Sequence, residues 1–171
     1  MPGWTEFYAV IGGAAAALLG LLFVVVSLNA AAILSGGHES SKRLAEQAFQ
    51  NYLAVMMVSL LALFPGMSAP TFGAVTLCVT GVWAAWVLVR LFQTLSGPQD
   101  HEPRLFALRR HFSTVVGFAI LIVTAVRMAL HLADDRNLFA SGTIVLLFSA
   151  TIVSWELLGR IARSGLAVSG P

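Results

Sequence analysis

Charge is scarce in this chain: Asp, Glu, Lys and Arg together make up 11% of its 171 residues, and lysine occurs once. A soluble domain carries about a quarter charged residues, so an ordinary solvated surface is excluded. Cysteine also occurs once, at Cys78 between Leu77 and Val79, which rules out an intramolecular disulfide and a cysteine-built metal site within one chain. Inside an apolar run, Cys78 reads as a small buried hydrophobe. No basic block is present; the net charge of +2 is spread over loops in ones and twos, which argues against nucleic-acid binding.

Apolar residues are abundant instead, at 58% of the chain with a mean hydropathy of +0.85. They form continuous runs rather than alternating patterns, which favours transmembrane helices over a barrel. The expected fold is all-α, a polytopic membrane protein with a bundle of five transmembrane helices in a single domain over residues 1–171. The helices are expected at about 7–34, 48–64, 71–89, 112–132 and 138–159.

At 1.5 Å per residue the first helix would be about 42 Å long and must tilt or project from the hydrocarbon. Its end at Ala30-Ala31-Ala32 looks like a signal cleavage site. The stretch is longer than a signal core, however, and Glu6 precedes it with no Lys or Arg, so it reads as a retained helix. The second run is short, with Gln50, Asn51 and Tyr52 expected at the interface, and it either crosses fully or re-enters. Pro65-Gly66 stops it. Residues 91–111 are expected to be the only sizeable extramembrane segment.

Five crossings would place Lys42, Arg43, Arg90, Arg104, Arg109, Arg110, Arg160 and Arg163 on one side and Arg136 alone on the other. Basic residues stay on the cytoplasmic side, so the amino terminus is expected outside and the carboxyl terminus in the cytoplasm of a bacterial inner membrane.

One basic residue, Arg127, falls inside an apolar run. On a helical wheel Ser113, Thr124, Arg127, His131 and Asp134 share a stripe on the fourth helix, which must face protein or water because a central arginine costs about 2.5–3.5 kcal/mol or more on insertion scales. Two readings are open. Arg127 snorkels and pairs with Asp134, Asp135 or Glu6, or it lines an anion or proton pathway with His131 as a group that changes charge near neutral pH. On the fifth helix Gly142, Ser149, Glu156 and Arg163 recur every seven residues, and Glu156 with Arg160 forms an expected i,i+4 ion pair at the cytoplasmic end. Ser27, Asn29 and Ser59 are expected to bond to backbone or neighbouring helices.

The first helix carries small-xxx-small pairs at Gly12/Ala16, Gly13/Ala17 and Ala16/Gly20, which permit close helix approach within the chain or at a subunit interface. His38, Glu39, His101, Glu102 and His111 could ligate zinc chemically, but their spacing matches no metal fingerprint and no metal site is expected. No nucleophile elbow, HExxH or phosphate loop occurs, so neither an enzyme nor a cofactor is implied.

The segment Trp4-Thr5-Glu6-Phe7-Tyr8, followed by the run from Gly12-Gly13-Ala14-Ala15-Ala16-Ala17 through Gly20 to Ser27-Leu28-Asn29, resembles the opening of a family of small bacterial multi-pass membrane proteins. The Phe64-Pro65-Gly66 turn fits more loosely. Some members of that family are labelled modulators of the FtsH protease, so the resemblance implies an accessory or regulatory subunit of a larger membrane complex. It supplies no catalytic residues. The small-residue face and the polar stripe point instead to a homo-oligomeric ion channel or pore. A small transporter would call for internal repeats that are not seen.

Overall fold

Backbone polar groups in a bilayer must be satisfied within their own segment, and helices do this wherever the chain is continuously apolar. The computed structural model describes residues 2–30, 39–96, 104–132 and 135–168, and its five main elements are all helices. They are α1 Pro2–Leu28, α2 Glu39–Ala62, α3 Ala69–Ser96, α4 Arg104–Ala129 and α5 Arg136–Val168. Four contain a stretch long and apolar enough to cross a membrane: Trp4–Leu28, Ala69–Val89, Phe112–Ala129 and Arg136–Ala162. The fifth, α2, is not apolar enough, because Glu39, Lys42, Arg43 and Glu46 fill its first half. It is nevertheless one unbroken helix.

The helix ends correct several expected boundaries. Pro2 opens α1, where a missing N–H is harmless. Its expected extension to residue 34 falls partly on 31–34, outside the described residues; Asn29 is already a turn, and both its backbone N–H and its side-chain amide donate to the Val25 carbonyl, at 3.1 and 2.9 Å. α3 continues beyond Arg90 to Ser96, and α4 begins at Arg104, so most of the expected extramembrane break of 91–111 is helix. A charged residue ends a hydrocarbon span but not a helix, whose backbone bonds are intact in either solvent. Leu91, Phe92, Leu105 and Leu108 continue the apolar pattern into both extensions.

α4 stops sooner than expected. His131 takes a left-handed conformation at φ 57°. Its N–H donates to the Met128 carbonyl at 3.2 Å and the Leu132 N–H donates to the Arg127 carbonyl at 2.9 Å. This is a Schellman cap, with histidine in the position usually held by glycine. Asp135 then caps α5, its carbonyl accepting from the Phe139 N–H at 3.0 Å. Between α2 and α3, Gly66 takes φ 76° after Pro65, and the Ser68 hydroxyl accepts from the Thr71 N–H at 3.4 Å as an N-cap.

α2 and α5 pack together at the centre; α1 covers α2, α4 covers α5 and α3 lies on α4. One core region joins Tyr8, Val55, Val58, Phe118, Leu121, Phe139 and Leu146, and the other joins Leu22, Leu44, Ala48, Tyr52, Val153 and Leu157. Glycines allow backbones to touch within this order. A Cβ at Gly73 would lie 2.6 Å from the Ala129 nitrogen and 2.7 Å from the Ala125 oxygen, so α3 and α4 meet backbone to backbone there. Large apolar side chains such as Leu21, Phe23, Val82, Phe148 and Trp155 cover the outside, as lipid requires. Cys78 is among the exposed residues, contrary to its expected burial.

Candidate functional site

The expected stripe on α4 does not survive as one face. Arg127 and Thr124 are on the helix, but His131 lies beyond it in the Schellman cap and is exposed; Asp134 is outside the described residues. The Thr124 hydroxyl is buried and donates to the Ile120 carbonyl at 2.7 Å, so it turns back on its own helix. The Arg127 side chain is 47% exposed, and its Nε donates to an Asp135 carboxylate oxygen at 2.7 Å. The Asp135 charge sits at the positive N-terminal end of α5 while cancelling Arg127. Of the two readings of Arg127, the structure contains the ion-paired one, and the pair clamps α4 to α5 across their short connection.

Ser113 belongs to something the sequence reading did not assemble. An uncharged polar cluster joins α2, α4 and α5 inside the bundle, built from Gln47, Asn51, Ser113, Thr114 and Ser149. Thr114 Oγ1 accepts from Gln47 Nε2 at 3.2 Å and from Asn51 Nδ2 at 2.9 Å. A hydroxyl has two lone pairs and one hydrogen, so the Thr114 hydrogen goes to Ser149 Oγ, 2.9 Å away. Ser149 also accepts from Asn51 at 3.4 Å and passes its own hydrogen to Ser113 Oγ at 2.9 Å. Thr114 and Ser149 thereby use every lone pair and every hydroxyl hydrogen. Neither retains a lone pair with which to bind an ion.

Thr114 lies 13 residues from Arg127, so the cluster is about 20 Å along α4 from the Arg127–Asp135 pair. Asn51 and Tyr52, expected at the interface, are both 1% exposed. The Tyr52 hydroxyl donates to Thr151 Oγ1 at 3.4 Å, which adds a second α2–α5 tie. Further along α5, Arg160 Nη2 donates to Glu156 Oε1 at 2.7 Å, the expected ion pair. His38, His101, Glu102 and the side chains of Glu39, His111 and Arg163 lie outside the described residues, and among the described ones no three His, Cys, Asp or Glu side chains gather around a common point. Two buried oxygens beside the cluster's helices have no hydrogen-bond partner, Gln47 Oε1 and Ser59 Oγ. Ser59, expected to bond, is instead pressed by α1, since a Cβ at Gly12 would lie 2.8 Å from its Cβ.

The small residues of α1 divide by face. Gly12 and the fully buried Ala15 turn inward towards α2. Gly13, Ala16, Ala17 and Gly20 turn outward and are exposed, and a Cβ at Gly13 or Gly20 would meet nothing within 4 Å. The α1 span is also the least buried of the four, at 11% of its most apolar window against 28–44% for the others.

Ser149 was visible in the sequence as part of a heptad on α5. Gln47 was missed because the second helix was started at residue 48, Asn51 was set at the interface rather than inside the bundle, and Thr114 lay within the expected fourth helix, where no single-helix pattern pairs it with α2 and α5. Comparison with family models, curated proteins and solved structures finds no match.

Proposed function

We propose that this chain is a non-enzymatic accessory subunit of a larger complex in a bacterial cytoplasmic membrane, holding a partner's transmembrane segment against the outward face of α1. The observation that carries this is the exposed row Gly13, Ala16, Ala17 and Gly20 on the least covered span. Lipid tails are as apolar as leucine, so helices associate in a bilayer through close backbone approach, and small residues on an uncovered face provide it. The saturated hydrogen bonding of Thr114 and Ser149 favours a static scaffold over a conducting path. The resemblance of residues 4–29 to proteins labelled modulators of the FtsH protease agrees with such a role.

In this reading α2 crosses beside α1, because Gly12 meets Ser59 near one end while Leu22 shares a core region with Leu44 and Ala48 near the other. Five crossings then put the Arg127–Asp135 clamp outside and the Glu156–Arg160 pair on the cytoplasmic side, following the eight basic residues there. The second reading is a homo-oligomeric channel, which the same α1 face would serve if copies packed around an axis.

Site-directed cross-linking separates the two. In a Cys78→Ala background, Ala17→Cys is expected to form an adduct with a different membrane polypeptide, and Val123→Cys on the exposed side of α4 is expected to form none. Adducts only between copies, together with ion flux in liposomes, would replace the accessory reading with the channel.

A further inference from the structure

A cavity of about 340 Å³ opens at the end of the bundle that carries the Arg127–Asp135 pair, and all five helices contribute to its walls. Trp4 and Tyr8 of α1, Phe72 of α3 and Phe139 of α5 line it with rings. They brace one another: Trp4 stacks on Tyr8 at 6.2 Å, and Phe139 lies 6.1 Å from Tyr8 and 5.1 Å from Phe72. The space is therefore bounded by rigid groups on three helices. Its volume is at the lower end for small-molecule sites, room for a compact ring system rather than a lipid.

The Tyr8 hydroxyl distinguishes this cavity from a packing gap. Tyr8 is 5% exposed, and its hydroxyl has no hydrogen-bond partner among the described residues. A buried threonine on a helix turns back on its own backbone, as Thr80, Thr124 and Thr143 do here at 2.7–3.0 Å. A tyrosine hydroxyl cannot do so, because the ring carries it beyond reach of the preceding turn. Its acceptor has to come from outside the helix, and burial without one is costly. The cavity that Tyr8 borders is where an acceptor has room to sit.

We infer that this cavity binds a small, flat, uncharged molecule of the aromatic ketone and quinone class, its carbonyl oxygen accepting from the Tyr8 hydroxyl. The rings of such a ligand lie against Trp4, Phe72 and Phe139, with which they pair stacked or edge-on. A ligand of this kind reaches the site by partitioning into the bilayer. The inference goes beyond the role of the α1 outward face and stands whether or not that face binds a partner, since Tyr8 faces inward.

Photolabelling of the full-length protein in phosphatidylcholine nanodiscs with a trace of benzophenone tests it. Met128 lines the cavity and is 3% exposed, and photoexcited benzophenone reacts readily at methionine C–H bonds, so an adduct on Met128, read by peptide mass spectrometry, reports occupancy. Saturable labelling of Met128 is expected, displaced by 2-acetylnaphthalene and by 2-ethylnaphthalene, which has nearly the same shape without the acceptor. Tyr8→Phe, which removes one oxygen atom, should weaken displacement by 2-acetylnaphthalene about three- to tenfold and leave that by 2-ethylnaphthalene within about twofold. Each competitor is compared with itself in two proteins, so its partitioning into lipid cancels. Ala69→Phe should abolish Met128 labelling by filling the volume. Melting curves verify that both variants are folded. Absence of saturable Met128 labelling in wild type, labelling that persists in folded Ala69→Phe, or an equal effect of Tyr8→Phe on the two competitors overturns the proposal.

Discussion

Arg127 shows how far a single residue can be read from sequence. Its position in an apolar run marked it, and Asp135 was already among its expected partners, but the wheel that grouped it with His131 assumed helix where the chain turns. The pair it makes is partly exposed, and such pairs are worth about 0–1 kcal/mol. Arg127→Ala is therefore expected to lower stability by no more than about 1 kcal/mol in detergent unfolding; a much larger loss would mean that the clamp organises more than the α4–α5 connection. His131 carries the opposite sign. An L-residue in the left-handed region is disfavoured by about 1–2 kcal/mol, so His131→Gly should raise the melting temperature and stabilise by about 0.5–1 kcal/mol. A destabilised His131→Gly variant would show that the imidazole makes a contact worth more than the strain. Thr114→Val keeps the volume but strands the Gln47 and Asn51 donors and the Ser149 acceptor. A loss of about 1–3 kcal/mol is expected, read by the same unfolding experiment, and a neutral result would mean that the cluster does not help hold α2, α4 and α5 together.

At the scale of the elements, hydropathy located all five helices but misplaced most of their ends. Hydropathy reports where lipid begins, and α3, α4 and α5 all continue past that point as helix. The error mattered most on α2, which buries Leu44, Asn51 and Tyr52 and supplies the cluster's amides from Gln47 and Asn51. Three-dimensional pairing, which no single-helix pattern encodes, also decides which glycines matter. At Gly73 a methyl group would collide with the α4 backbone, which cannot move aside as a side chain can. At Gly13 it would meet nothing. Gly73→Ala is expected to destabilise by about 1–3 kcal/mol, whereas Gly13→Ala should be neutral or slightly stabilising through its better helix propensity. Equal effects at the two positions, measured by unfolding in detergent, would show that the α3–α4 contact is looser than the structure has it.

The whole molecule is a bundle with one polar cluster shared by α2, α4 and α5, an outer surface rich in large apolar side chains, and an exposed row of small residues at Gly13, Ala16, Ala17 and Gly20 of α1. Sequence spacing exposed the small residues of α1 but not their division, because Gly12 and Ala15 face inward while Gly13, Ala16, Ala17 and Gly20 face out only once α2 is in place. That division is the basis for the proposed association through α1, and enlarging the outward glycines should break such association while leaving the bundle folded. The most direct measurement is the mass of the particle extracted with its native lipid by a polymer belt, for wild type and for Gly13→Leu/Gly20→Leu. Wild type is predicted to co-purify with a second membrane protein in a fixed ratio, and the double variant, with an unchanged melting temperature, to run as the 18.2 kDa chain alone. A wild-type particle containing only this chain, or a double variant that keeps its partner, would contradict the account.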